Sequence, residues 1–466
     1  MKIVFCTAEA FPFAKVGGLG DVCGALPLSL EKLGEEVSII LPAYGMIDRF
    51  QYKIKKLNEE LSTTTIGNGT EVYFVENDRL FNREGIYGGR SNSYPDNLER
   101  FQYFCKQVFA VFRKQKKKID IFHCHDWHAA LVSVYLKSNS DAFYAGAKSV
   151  LTIHNLAYQG IFPRDSFAKL ELDKKWFTQN GFEYFGQVNI LKAGILYSDL
   201  VSTVSPRYAQ EIQTEEFGCG LDGVLKTRGQ AVQGILNGVD YSVWSPQDDS
   251  LIARNFSAAD LSGKAVNKEH LQKLANFPVK PDVPVFGFVG RLSSQKGLDL
   301  LARTMDQMMH MDVQLVFLGV GEEKYHTMLR DMARQYREKL TVFFEFDEAK
   351  AHAIYAGSDL FLMPSHFEPC GMGQIISLKY GTVPLVFKTG GLADTIVAYD
   401  APGGNGFVFT DYTREALMET FKAAVTVFSD AKLFRELQIK AMGCDFSWEK
   451  SALEYQELYR QCLVKA

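Results

Sequence analysis

The chain has 466 residues, 47% of them hydrophobic and 23% charged, with a formal net charge of −4 at pH 7. That length exceeds one ordinary core and predicts two domains, and the composition is that of a soluble globular protein. The mild charge gives no indication of nucleic-acid binding, no apolar run reaches the ~18 residues a membrane span needs, and the eight cysteines show neither metal nor disulfide spacing, which predicts reduced thiols in a cytoplasm.

The start, MKIVFCTAEAF, reads directly as a strand and has no signal or transit pattern. In chain order the expected strands of the first half are KIVFCTAE (2–9), EVSIILP (36–42), EVYFVE (71–76), IDIFHCHDW (119–127), KSVLTIHN (148–155), DLVSTVSP (199–206) and AVQGILNG (231–238). Their near-continuous apolar character suits parallel strands buried on both faces. RKQKKK (113–118) reads as a solvated helix end. A break is expected around NGVDYSVWSP (237–246), followed by a polar, helical stretch to about Pro284.

A second set of strands then begins: VPVFGFVGR (283–291), VQLVFLGVG (313–321), LTVFFEFD (340–347), DLFLMPS (359–365) and VPLVFKTGG (383–391), with helical segments such as 297–311 and 324–340 between them. The order predicts two doubly wound α/β domains in tandem, 1–240 and 241–447. The last segment, about 448–466, has helical spacing and is expected to pack back on the first domain.

In open α/β sheets ligands bind beyond the carboxyl ends of the strands. The residues following the expected strand ends are Lys15 with Gly17 and Gly18, Asp126-Trp127-His128, His154-Asn155, Asn237-Gly238, Arg291 with Lys296, Phe346-Asp347, and Glu368. They come from both halves, so two sheets facing each other would line one cleft with them. KVGGLGDV (15–22) does not match a GxGxxG dinucleotide fingerprint. It admits either a phosphate loop, with backbone N–H groups and Lys15 facing an anion, or a tight turn with an exposed lysine. Arg291 and Lys296 in GRLSSQKG suit a pyrophosphate, or are two surface cations. Glu368, beside the Gly371/Gly373 turn, can hold sugar hydroxyls, or is an ordinary helix N-terminal acid. HCHDWH (123–128) raises a metal reading, but neighbouring strand residues point to opposite faces, so no metal site is expected. Asp126 and His128 are read as cleft hydrogen-bonders or as a structural corner.

Taken together, KVGGLGDV, HDWHA, TIHNLAYQG, KAGILYSDLVSTVSPRYAQEI, GILNGVD, GRLSSQKG, PSHFEPCGMGQ and KTGGLADTI closely resemble the bacterial glycogen synthases and related starch synthases, in order along the whole chain. The resemblance implies a GT-B-type fold, two Rossmann-like domains facing a cleft. It implies transfer of glucose from ADP-glucose to the non-reducing 4-hydroxyl of an α-1,4-glucan such as glycogen, with retention, and with no metal or organic cofactor. Domain 1–240 would hold the acceptor and a phosphate loop, and domain 241–447 the donor.

Carried over residue by residue, the resemblance implies that Lys15, Arg291 and Lys296 face the diphosphate. Gly18 allows close backbone approach, and Asp21 contacts the nucleotide-sugar or shapes its loop. His154 and its carbonyl lie near the transferred glucose, with Asn155 beside them, and Asn237 contacts the donor. Glu368 binds glucose hydroxyls with the backbone of Cys370, Gly371 and Met372. Phe346 stacks on adenine, unless it is a core residue of a buried strand. Asp126, Trp127 and His128 lie on the acceptor side.

Departures from the family pattern are Gly373 where threonine is frequent, Ile376 where related transferases carry a second glutamate, and His366 where arginine or leucine is common. The Gly373 position lacks a hydroxyl that could touch phosphate. Competing readings are a GT-B-like sugar-nucleotide epimerase, a phosphorylase, and a non-catalytic glucan-binding protein. Glucan extension separates the first, a pyridoxal chromophore the second, and turnover the third.

Overall fold

The computed structural model describes residues 1–89, 93–229 and 232–464. Ala231, at the start of the strand expected over 231–238, and residues 465–466, at the end of the helix expected over 448–466, lie outside them. The chain divides into two units, Met1–Gly238 with Trp448–Ala466, and Val239–Ser447.

The first unit contains strands β1 (Lys2–Cys6), β2 (Glu36–Pro42), β3 (Lys55–Asn58), β4 (Leu61–Ile66), β5 (Thr70–Val75), β6 (Ile121–His125), β7 (Lys148–Ile153), β8 (Ile161–Phe162), β9 (Glu183–Tyr184), β10 (Gln187–Asn189), β11 (Leu200–Thr203) and β12 (Val232–Gly234). Among the described residues these form a nine-stranded sheet in the order β12-β11-β7-β6-β1-β2-β5-β4-β3 and a small sheet β8-β10-β9. From β12 to β5 every pairing is parallel. Residues Ile3 to Cys6 are buried, as a central parallel strand with both faces covered requires.

The segment expected as a parallel strand at 71–76 is parallel to β2 on one side but antiparallel to β4 on the other. Two further strands extend the edge because Gly67 and Gly69 take positive φ (60° and 151°) and turn the chain back tightly. The C-terminal helix Trp448–Val464 belongs to this unit. Its Tyr459 hydroxyl lies 2.8 Å from His123 Nδ1, Gln456 donates to Glu35 at 2.6 Å, and Ser451 donates to the Leu236 carbonyl at 2.6 Å.

The second unit contains β13 (Val285–Val289), β14 (Gln314–Leu318), β15 (Leu340–Phe343), β16 (Leu360–Met363), β17 (Val383–Phe387) and β18 (Phe407–Phe409), ordered β15-β14-β13-β16-β17-β18 and parallel throughout. Phe286, Leu315, Leu360, Leu385 and Phe407 share one core with Leu301, Met305, Leu417 and Phe421 from the covering helices. Both sheets start from an inner strand, run outward, and return to the other side of that strand. This is the doubly wound order, and it places a topological switch point between β1 and β6 in the first unit and between β13 and β16 in the second.

Candidate functional site

In the first unit the loop after β1 carries Lys15, Gly17 and Gly18 and leads into the helix Gly18–Lys32. Of the tight-turn reading, the exposed lysine is met, but the glycines do not make a turn. Gly17 is extended (φ −149°, ψ −164°), and a Cβ added at Gly17 or Gly18 would meet nothing within 4 Å. The protein's own backbone and packing therefore do not demand glycine here, and what the glycines leave is open space beside the helix N-terminus, which has no side-chain cap. Lys15 Nζ pairs with Asp21 Oδ1 at 2.6 Å on the surface. Glu9, which the sequence reading did not single out, organises the loop. It is buried, and its carboxylate accepts from the backbone N–H of Val16 at 2.6 Å and of Gly17 at 3.0 Å. No motif marks Glu9; its role appears only when the loop folds back over the strand end.

Asp126 begins the helix that follows β6, in the left-handed region (φ 55°). It is buried, and its Oδ1 accepts from the backbone N–H of His154 at 2.7 Å. Burial pushes its carboxyl up to about 7, against the opposing pull of the His154 and Asn155 backbone N–H groups. Trp127 and His128 are buried. Trp127 packs so closely on Gly160 (φ 64°) that a Cβ there would lie 2.5 Å from the ring, and His128 sits 4.6 Å from the centroids of both Tyr87 and Phe101. Burial, chiefly, pushes the His128 imidazole down to about 3, so it is neutral. Of the two readings of this pair, cleft hydrogen-bonders or a structural corner, the contacts described are those of a corner: Asp126 ties the loop after β7, and His128 packs against Tyr87 and Phe101.

His154 and Asn155 follow β7 and are half-buried. The His154 ring is held neutral, burial pushing it down to about 3, and its Nε2 lies 2.9 Å from His125 Nδ1. Asn155 Oδ1 accepts from the Ala157 N–H at 3.0 Å. Asn237, after β12, is buried, and its Oδ1 has no partner among the described residues. Among the described residues no three His, Cys, Asp or Glu side chains converge as metal ligands. No helix among them is long and apolar enough to cross a membrane.

In the second unit the loops after β13 and β16 lace together at the switch point. Lys296 ends a short turn, and Gly297 (φ 80°) follows it; a Cβ at Gly297 would lie 2.1 Å from the Pro364 carbonyl oxygen. That approach brings Lys296 Nζ to 2.5 Å from Glu368 Oε2, to which Ser365 also donates at 3.0 Å. Arg291 is exposed, with Gln295 at 3.5 Å. The backbone of Glu368 to Cys370 is clamped by Gly390 and Gly391. A Cβ on either would lie 2.0 Å from the Glu368 carbonyl oxygen or 2.1 Å from that of Cys370, and the Gly391 N–H donates to Glu368 O at 3.0 Å. Gly371 takes φ 75°, and Met372 precedes a helix, Gly373–Lys379, without a side-chain cap.

Two sequence expectations change here. β15 ends at Phe343, so Phe346 does not end a strand; it is 79% exposed, which removes the buried-core reading, and Asp347 next to it caps the following helix. Gly373 is more than a missing hydroxyl, since a Cβ there would lie 2.9 Å from the Phe361 ring and 3.3 Å from Tyr355 Oη. Ile376 is buried, and the His366 ring lies 4.6 Å from that of Tyr412.

A family model described as starch synthase catalytic domain matches residues 2–227, and one described as glycosyl transferases group 1 matches residues 272–429. The glycogen synthase of Geotalea uraniireducens is 45% identical over 100% of this chain and 99% of its own. The catalytic domain of starch synthase IV from Arabidopsis thaliana, solved bound to ADP and acarbose, matches with TM-score 0.92 and 32% identity over 100% of this chain and 99% of its own. Sucrose-phosphate synthase from Thermosynechococcus elongatus, at 16% identity and TM-score 0.64 over 100% of this chain and 99% of its own, shares the fold.

Proposed function

The chain belongs to the glycogen synthase family and is a glycosyltransferase, and from that premise we propose that it moves glucose from ADP-glucose to the non-reducing 4-hydroxyl of an α-1,4-glucan, with retention at the anomeric carbon. The observation that carries the reading is the meeting of Lys296 and Glu368, from the loops after β13 and β16, at the switch point of the second unit.

In the reaction the bond from the anomeric carbon to the β-phosphate oxygen breaks, and a bond from that carbon to the acceptor O4 forms on the same face. The O4 proton passes to the departing phosphate. The charge that builds on the diphosphate needs fixed cations, and Arg291 and Lys296 supply them. Lys296 then shares its charge between phosphate and Glu368, whose carboxylate accepts from glucose hydroxyls while the N–H groups of Cys370, Gly371 and Met372 donate to them. Lys15 leaves Asp21 for phosphate, and the open backbone at Gly18 allows close approach. His154 and its carbonyl attend the transferred glucose, with Asn155 and Asn237 beside the donor. Asp126, Trp127 and His128 act on the acceptor side through the loop and wall they build. Phe346 offers its exposed face to adenine. Domain 1–240 with the helix at about 448–466 serves the acceptor, and domain 241–447 the donor. Bound metal or organic cofactor has no part in this scheme.

The test is incubation with ADP-glucose or UDP-glucose and a glucan primer, following free nucleoside diphosphate and primer length. Extension matched by ADP release, and faster than with UDP-glucose, is expected. Nucleotide release without extension, or a preference for UDP-glucose, contradicts the reading.

A further inference from the structure

His125 ends β6 and is fully buried, with its ring stacked on Phe5 (centroids 5.2 Å apart, planes 22° apart) and 4.1 Å from His123. Its Nδ1 lies 2.9 Å from His154 Nε2. Its other nitrogen, Nε2, is buried and has no partner among the described residues. His123 cannot supply one, because its own Nδ1 faces the Tyr459 hydroxyl at 2.8 Å and its Nε2 faces the Thr152 hydroxyl at 2.6 Å.

Burial leaves both His125 and His154 neutral, so one N–H serves the bond between them, and there are two ways to place it. If His154 donated from Nε2, His125 would carry its proton on the partnerless Nε2, an orphaned buried donor. If His125 donates from Nδ1, only a lone pair is left without a partner. Buried donors are left unpaired more rarely than acceptors are under-used, which selects the second arrangement.

We propose that His125 is a positioning residue for His154. It donates from Nδ1 to His154 Nε2 and so fixes His154 as the Nδ1-protonated tautomer, presenting an N–H to an oxygen of the glucosyl donor. The inference rests on the reading of His154 as a residue of the transfer site. Two consecutive residues then hold one functional group: the Asp126 carboxylate takes the His154 backbone N–H at 2.7 Å, and His125 takes the ring. A lone pair at His154 Nδ1 would repel sugar and phosphate oxygens, whereas an N–H attracts them without adding a charge.

The test uses the full chain labelled with 15N-histidine. Its nine histidines are read by long-range 1H–15N correlation near neutral pH, and the His154 signals are assigned by their loss in His154→Gln. A proton on Nδ1 and a bare Nε2 at His154 are expected. A proton on Nε2 in the wild-type protein overturns the inference without any variant. His125→Phe removes the donor; His154 should lose its single tautomer, and kcat should fall about ten- to a hundredfold, as for other residues that orient a reacting group. The donor KM should rise by less than kcat falls, at most about tenfold, since a single neutral hydrogen bond to the bound donor is weakened. His125→Asn, which returns an amide donor near the Nδ1 position, should recover most of the lost kcat. Unchanged kcat in His125→Phe, or folded His125→Asn no more active than His125→Phe, overturns the positioning role. If His154→Gln keeps full turnover, the reading of His154 fails on its own account, and the spectrum still reports whether His125 sets the tautomer.

Discussion

Lys15 and Lys296 occupy equivalent places, each in the loop after the first strand of its unit, and each faces a carboxylate, yet the two pairs differ in kind. Lys15 and Asp21 meet at 2.6 Å with side chains 43% and 31% exposed, whereas Lys296 and Glu368 meet at 2.5 Å with 18% and 8% exposed. An exposed pair of the first sort is worth about 0–1 kcal/mol and is readily given up to a ligand. Removing one partner of a buried pair strands the other charge, so the second pair is part of the fold as well as of the site. The edge of the first unit instead fixes its groups through backbone N–H bonds to Glu9 and Asp126 and through neutral rings. One edge is built to hold charge and the other to hold shape.

The largest expected break in this comparison comes from the second unit. Lys296→Ala and Arg291→Ala should each lower kcat on the order of 100-fold or more, through lost stabilisation of the departing diphosphate. Only Lys296→Ala should also lower stability, by about 1–3 kcal/mol, because it leaves Glu368 unpaired; Arg291→Ala and Lys15→Ala should unfold in urea within about 1 kcal/mol of the parent. Steady-state kinetics and urea titrations on the three variants separate charge needed for chemistry from charge needed for folding. Near-normal turnover in the first two would remove them from the diphosphate.

Asp126 sharpens the contrast from the other side. Its carboxyl titrates at about 7 in the folded protein and near 3.9 when unfolded. Between those values the folded state holds more protons, so this group's contribution is full below the unfolded value and is lost as pH rises through the folded one. Asp126→Asn removes that dependence. The variant should gain stability relative to the parent as pH rises from about 4 to about 8, reaching on the order of 4 kcal/mol. Parallel curves would show that the buried carboxyl does not titrate in this window.

Much of this was legible beforehand, and the failures have identifiable causes. Parallel strands such as β1, β2, β13 and β17 announce themselves as short apolar runs because both faces are covered. The edge strands β3 and β4, KKLN and LSTTTI, carry lysines, serine and threonines on a half-exposed rim and give no such signal. β8 to β10 are two or three residues long, shorter than any period can show. Lys296 and Glu368 could be named separately, but their contact depends on Gly297 packing against Pro364. Glu9 carries no motif and His125 suggests only a metal ligand, because their partners, Val16, Gly17 and His154, are brought to them only by folding.

Gly373 gives a smaller effect with an unexpected sign. Restoring the family's frequent threonine should not improve donor binding, because the added Cβ meets Phe361 at 2.9 Å. Gly373→Thr should cost about 1–3 kcal/mol through overpacking, read as a fall in Tm, with the donor KM unchanged or raised. A lower KM at unchanged Tm would show that Phe361 moves aside easily.

The mildest change is Phe346→Ala. With the ring 79% exposed, stability should be unaffected. Lost stacking of about 1 kcal/mol, near the low end for base–aromatic contacts, should raise the donor KM several-fold, leave kcat almost unchanged, and narrow the preference for ADP-glucose. A variant with the parent's KM and preference would show that the base is held elsewhere.

Proton NMR of the reaction mixture tests retaining glucosyl transfer to a glucan most directly. With ADP-glucose and a short maltooligosaccharide, each ADP released should be matched by one new α-1,4 anomeric signal. A β-configured product, or ADP released with no new glycosidic signal, would contradict the account.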